Sequence, residues 1–195
     1  MKGLAYMDSG QHAEQQEKGL FRSCLEFILM LVFVLGAAWL LRTFVVAPYE
    51  IPSGSMESTI MVGDKVFSEK VSYYSGDVQQ GDIVTFADPE LPSRTLIKRC
   101  IATSGQTVEL IDGVVYVDGE ALAEPYVQGS SYPLDTAMGV LVEYPYTVPE
   151  GYIWVMGDNR ENSADSRYFG AVPESSVSGH AFFVYWPLAR VGALS

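Results

Sequence analysis

The chain has 195 residues, with 24 Asp or Glu against 12 Lys or Arg, for a formal net charge of −12. Its apolar share of 48% suffices for one medium-sized domain with its own core plus an appendage. So acidic a composition excludes a reader of nucleic-acid phosphates, which needs a basic face.

The first predicted element is a membrane-spanning helix. "CLEFILMLVFVLGAAWLLRTF", residues 24–44, carries no charge from Phe27 to Leu41 and is bracketed by Glu26 and Arg42. About 20 residues at ~1.5 Å rise cross a hydrocarbon core of ~30 Å. A cleavable secretory signal is the alternative, since Lys2, Lys18 and Arg22 precede the run and "GAA" at 36–38 offers small residues. That triplet lies inside the apolar run, however, and the leader is long and mixed in charge. Arg42 is the only cation after the run until Lys65, a bias that places the N-terminus in the cytoplasm. The expected organisation is a cytoplasmic tail over 1–23, the span over 24–44 and one extracytoplasmic domain over 45–195. Cys24 and Cys100 then lie too far apart for a disulfide, and Cys100 reads as a small buried hydrophobe.

Beyond the span the sequence predicts strands. Residues 81–86, 94–103, 107–122, 151–158 and 180–188 are β-branched or aromatic and bounded by Gly, Pro and Asp. Asp112-Gly113 and Asp118-Gly119 predict hairpin turns. Residues 73–82, 87–93 and 124–139 are the loop candidates. The expected fold class is mainly β, an antiparallel domain behind one N-terminal transmembrane helix.

The soft ligands of this domain are His180 and Cys100 alone, and its carboxylates show no ion-binding spacing, so no metal is expected. No phosphate-cradling or dinucleotide motif is present, and no cofactor is expected. Nucleophilic catalysis remains. A Ser-His-Asp triad would have to use His180, which reads more simply as a strand residue in "HAFFVYW". A neutral lysine can replace histidine as base. Lys65 and Lys70 sit in the polar stretch "GDKVFSEKVS", whereas Lys98 lies between apolar neighbours in "TLIKRCI". On a strand Lys98 shares a face with Leu96 and Cys100, and Arg99 the opposite one with Ile97 and Ile101. An exposed lysine is neutral about 0.04% of the time at pH 7, and bringing its pKa to ~7 requires a differential of ~4–5 kcal/mol, within reach of full burial. The polar stretch "MGDNRENSADSRYFGAVP", 156–173, reads by itself as a turn pinned by Asp–Arg pairing.

Three segments occur in order: "PSGSM" at 52–56 just beyond the span, "LIKR" at 96–99, and "GDNRENSADSR" at 157–167. Together they resemble the bacterial type I signal peptidases, membrane-anchored Ser-Lys endopeptidases, and the resemblance runs from the span to "YWPL" at 185–188. It implies Ser55 as nucleophile and Lys98 as general base. It further implies Ser53 as a hydroxyl of the oxyanion hole, Ser163 as the residue that orients the amine, and Asp165 with Arg167 as an ion pair holding the last loop. Ile51, Met56, Ile60 and Ile97 occupy positions that line the family's shallow pockets for small side chains. The substrates implied are secretory preproteins presenting an extended A-x-A-like stretch at the membrane surface. Three positions depart from the pattern: Ser58 replaces a usual proline, and Ala102 and Gln106 replace a common glycine and aspartate. Two rival readings are a self-cleaving repressor-type Ser-Lys peptidase and a non-enzymatic membrane-tethered β domain that binds a partner.

Overall fold

The computed structural model describes residues 4–74, 76–137 and 139–194. Two compact units divide the chain, Met1–Phe44 and Val45–Ser195. The first is one continuous helix, α1 (Leu4–Phe44), so residues 4–23, expected as a tail, share the helix of the span. Within it Arg22–Phe44 has a mean hydropathy of 2.5 and is long and apolar enough to cross a membrane.

The second unit is built from antiparallel strands. Its larger sheet contains β1 (Val46–Glu50), β2 (Lys65–Glu69), β3 (Ile83–Ala87), β4 (Thr95–Ala102), β9 (Tyr152–Met156), β10 (Val172–Pro173), β11 (Val177–Trp186) and β12 (Gly192–Ala193). Their order is β1-β2-β11-β3-β4-β9-β10, with β12 on β11. A smaller sheet, ordered β7-β6-β5-β8, holds β5 (Thr107–Ile111), β6 (Val114–Val117), β7 (Glu120–Ala121) and β8 (Tyr146–Thr147). One short helix, α2 (Ser166–Phe169), follows the polar loop.

The predicted strands are all present with shifted ends, β3 running on to Ala87 and β11 beginning at Val177, and the long one at 107–122 divides into β5, β6 and β7. It does so at the two Asp-Gly pairs. Asp112 and Asp118 have φ of 51° and 53°, and the glycines after them 81° and 80°, the left-handed pair a tight hairpin demands. The pattern misses β1 and β2, and the two-residue strands β8, β10 and β12. Pro48 in β1 breaks the strand signal, yet β1 is the sheet's edge, where a missing N–H is harmless. In β2 an inward position is filled by Ser68, whose hydroxyl bonds Thr85 Oγ1 at 2.9 Å.

β4 is the central element. Its alternation is the predicted one, but both faces are covered. Cys100 enters one apolar cluster with Val84, Phe86 and Val155, and Ile101 another with Trp154 and Met156. Burial pushes the Cys100 thiol well above the usual range, consistent with an inert core residue. The third cluster, Ile51, Met56, Ile60, Val66 and Ile83 among others, lies beneath the turn that carries Ser55.

The long connection between β7 and β8 forms a strap over the polar loop. Gln128 donates its N–H to Asp158 O and accepts from Arg160 N–H, both at 2.8 Å. Arg160, 1% exposed, reaches Glu124 and Ser131 on the strap.

Candidate functional site

Ser55 sits in the connection between β1 and β2, a loop closed on itself by main-chain bonds. Ile51 N–H donates to Asp64 O and Gly63 N–H to Ile51 O, each at 2.9 Å. The Asp64 carboxylate accepts Met61 N–H at 2.9 Å and Arg190 Nε at 3.0 Å. The Ser55 turn is gripped from the polar loop by Asn159. Its N–H donates to Ser55 O at 3.1 Å, and its Nδ2 to Gly54 O at 3.1 Å. A side chain at position 54 would meet the Glu57 carboxylate at 2.8 Å and displace it.

Lys98 Nζ hydrogen-bonds Ser55 Oγ at 2.7 Å and donates to Ile97 O at 3.1 Å. Lys98 is 3% exposed and Ser55 6%. Burial pushes the Lys98 amine down to about 8; the Asp165, Asp158 and Asp88 carboxylates oppose the shift and the Arg94 guanidinium assists it. The drop is smaller than a pKa of 7 would need, because three anions lie near the amine. About one lysine in ten is then neutral at pH 7, against a few in ten thousand for an exposed one.

A cleft of about 200 Å³ opens beside this pair, lined by Ser53, Ser55, Leu96, Lys98, Ala164 and Phe169 among others. Ser53, exposed, stands at its wall. Ile51, Met56 and Ile60 do not line it. They are 3%, 0% and 0% exposed and form the packed floor under the Ser55 turn, while Ile97 is partly buried against the same cluster. The apolar walls of the cleft come instead from Leu96, Ala164 and Phe169. Alternation from Lys98 marks Leu96; Ala164 and Phe169 have no sequence signal outside the polar loop.

Asp165 and Arg167 form the expected ion pair, Nε to Oδ1 at 2.9 Å, with side chains 0% and 1% exposed. Asp165 also accepts Gly157 N–H at 3.0 Å, and Arg167 donates to Arg160 O at 2.7 Å. Asp158 takes a partner outside the loop. It accepts Arg99 Nε and Nη2 at 3.0 and 2.8 Å and Thr59 Oγ1 at 2.5 Å, tying β4, the loop and the Ser55 turn together. Arg99 lies 3.8 Å over the Tyr126 ring. Ser163 is buried, but its hydroxyl makes no hydrogen bond to Lys98 or any other described residue. It packs against Gly157 instead. A Cβ on Gly157 would lie 2.4 Å from both Ser163 Oγ and Ser55 O.

That crowding yields a prediction. Gly157→Ala should force the polar loop off the Ser55 turn and lower peptidase kcat about 100-fold, the usual result of an ångström-scale misplacement. Steady-state kinetics on a folded variant, checked by circular dichroism, would measure it; unchanged kcat would mean that the contact is slack.

Of the departures, Ser58 is exposed and Ala102 fully buried where the β4–β9 register shifts. Gln106 closes the β4–β5 turn, accepting Thr103 N–H at 2.9 Å and donating to Asp118 Oδ2 at 3.2 Å. His180 lies within β11, 3.9 Å from Glu69, and has no part in the Ser55 cluster. Among the described residues no His, Cys, Asp and Glu cluster could hold a metal.

The family model for signal peptidases, peptidase S26, matches residues 24–186. The chain belongs to that family. A probable signal peptidase I-1 from Synechocystis sp. is 42% identical over 177 residues, covering 87% of this chain and 86% of its own. The signal peptidase I of Leptolyngbya laminosa is 38% identical, covering 85% of this chain and 79% of its own. The signal peptidase I of Bacillus licheniformis is 32% identical, with 91% and 97% covered. This family member is therefore a peptidase hydrolase with one N-terminal helix capable of crossing a membrane.

Proposed function

We propose that this chain removes N-terminal signal peptides from secreted preproteins by Ser-Lys dyad catalysis, cutting after small residues in an A-x-A-like stretch at the outer membrane–water interface. Residues 24–44 anchor it, with 1–23 in the cytoplasm and 45–195 outside. The observation that carries this reading is the 2.7 Å contact between the two buried groups, Lys98 Nζ and Ser55 Oγ.

In the neutral amine the Nζ lone pair accepts the Ser55 proton as Oγ attacks the scissile carbonyl carbon, forming the C–O bond. The negative charge that develops on the carbonyl oxygen is met by the Ser55 N–H and the Ser53 hydroxyl. The C–N bond then breaks, and the Lys98 ammonium gives its proton to the departing amine. An incoming water passes a proton to the Lys98 amine and attacks the acyl ester carbon; the ester C–O bond breaks, and the Lys98 ammonium returns a proton to Ser55 Oγ. In this reading Ser163, whose buried hydroxyl has no hydrogen-bond partner among the described residues, orients Lys98 during the cycle. Asp165 and Arg167 hold the loop.

The substrate docks as an extended strand. In β4, Cys100 directs its N–H and C=O toward β3, bonding Asp82 and Gly81 at 2.8 Å, so Thr95 and Ile97 direct theirs the other way. β9 pairs with β4 only from Arg99 onward, which leaves that stretch of edge beside Ser55 for a peptide backbone. The small cleft favours alanine-sized side chains.

The test is a detergent assay with a peptide carrying Ala at both specificity positions. Its kcat/KM should rise with pH through a limb near 8, because the amine must lose its proton to act as base. A limb near 10 would mean a solvated lysine, and no cleavage at any pH would favour a binding domain. Replacing either Ala by Phe should abolish cutting.

A further inference from the structure

Arg94 also faces the cleft, on the reading that Ser55 and Lys98 are its catalytic pair. Residues 94, 96 and 98 alternate onto one face, and all three line the opening. The guanidinium is held from one side. Asp88, its side chain 1% exposed against 57% for Arg94, pairs with it through Arg94 Nε at 2.5 Å. Asp88 is itself fixed, accepting Glu90 N–H at 2.8 Å, while its own N–H donates to Arg94 O at 2.9 Å and Arg94 N–H donates to Leu91 O at 2.8 Å. The β3–β4 connection is therefore a tight loop that presents a planar donor group at the mouth, its outer edge toward solvent.

The electrostatic setting makes this cation unusual. The charges of residues 1–44 cancel, so the whole net charge of −12 lies in residues 45–195. Four cations there, Lys98, Arg99, Arg160 and Arg167, are buried. Of the others, Lys65, Lys70 and Arg190 do not line the cleft and Arg94 does. A domain this acidic repels an acidic peptide at long range. Asp88, which also lines the opening, takes the Nε and Nη2 edge of the guanidinium, so a substrate carboxylate would meet the outer Nη1 edge, where the cation offsets that repulsion locally. Glu90 also lines the opening, but it is exposed and lacks an anchoring ion pair among the described residues.

We propose that Arg94 is a specificity-determining residue that receives a carboxylate of the substrate flanking the scissile bond. It sets tolerance for acidic residues there; its assistance to the Lys98 shift acts equally on both members of an Asp/Asn pair of substrates and cancels in their ratio.

The experiment compares peptides that differ only by Asp or Asn, placed in turn at each position near the cut that is not occupied by the two alanines. It uses the full chain in neutral detergent, so that no lipid phosphate competes. The readout is the Asp/Asn ratio of kcat/KM within each enzyme, which is insensitive to the amount of folded protein. In the wild type the ratio should be near one or above at the responding position. In Arg94→Gln it should fall about three- to fivefold, the scale of an exposed ion pair, and the fall should shrink in high salt. Arg94→Lys should keep most of the ratio, and Glu90→Gln should raise it. An Asp/Asn ratio unchanged by Arg94→Gln at every position overturns this proposal alone. A wild type that leaves the Asn parent uncut overturns it together with the peptidase reading.

Discussion

Lys98→Met is expected to reduce peptide cleavage by about 10⁴-fold or more, the scale seen when the base of a nucleophilic pair is lost, and at the same time to make the protein more stable. The amine is buried, and its folded-state pKa of about 8 lies below the ordinary 10.5. Between those values the unfolded chain binds the proton that the folded chain resists. The group therefore destabilises the fold most fully below pH 8, less as pH rises from 8 to 10.5, and not at all above. Methionine keeps the length and removes the charge, so the gain at pH 7 should be about 2 kcal/mol, allowing for the lost bonds to Ser55 and Ile97. Urea unfolding at pH 7 and pH 10.5 would show a difference that fades with rising pH. Ser55→Ala should match the loss of activity without this pH-dependent stabilisation. A Met variant less stable than wild type at pH 7 would mean that the amine is well solvated.

Asp158→Ala should cost about 3–5 kcal/mol of stability, the usual penalty for leaving a buried charge without its partner. Arg99 is 2% exposed and donates to both Asp158 oxygens; it also donates to Gly81 O and lies over the Tyr126 ring, neither of which carries a formal charge. The same change frees Thr59 Oγ1, so the Ser55 turn loses an anchor. Arg99→Met combined with Asp158→Ala removes both charges and should recover much of the stability, although not the Thr59 tie. A double-mutant cycle by denaturant unfolding gives the coupling. Additive single losses would show that the pair contributes little as a pair.

The parts of this molecule that were legible in the sequence are those whose chemistry is local. Asp-Gly pairs dictate their own backbone angles, so the hairpins of the small sheet could be placed. A lysine among apolar residues on a strand points inward, so Lys98 could be singled out. Partners contributed from remote segments could not be read. Asp158 pairs with Arg99 on β4 rather than with an arginine of its own loop, and Arg160 finds Glu124 and Ser131 on the strap. No periodicity links those positions. Asn159 carries no sequence signal, because its grip on the Ser55 turn uses its backbone as much as its side chain. Ile51, Met56 and Ile60 carried the right apolar character for a pocket, but apolar character does not separate a pocket wall from the core beneath it.

The modest size of the cleft bears on how such an enzyme can be silenced. At about 200 Å³ it is smaller than the cavities that usually enclose drug-sized molecules, so shape fit alone gives an inhibitor little grip. Affinity has to be gathered from backbone pairing along the open stretch of β4 and from an electrophile that captures Ser55. If Lys98 is the base, as proposed, that capture needs its free lone pair, and a reactive compound would label the protein faster in mildly alkaline solution than in acid.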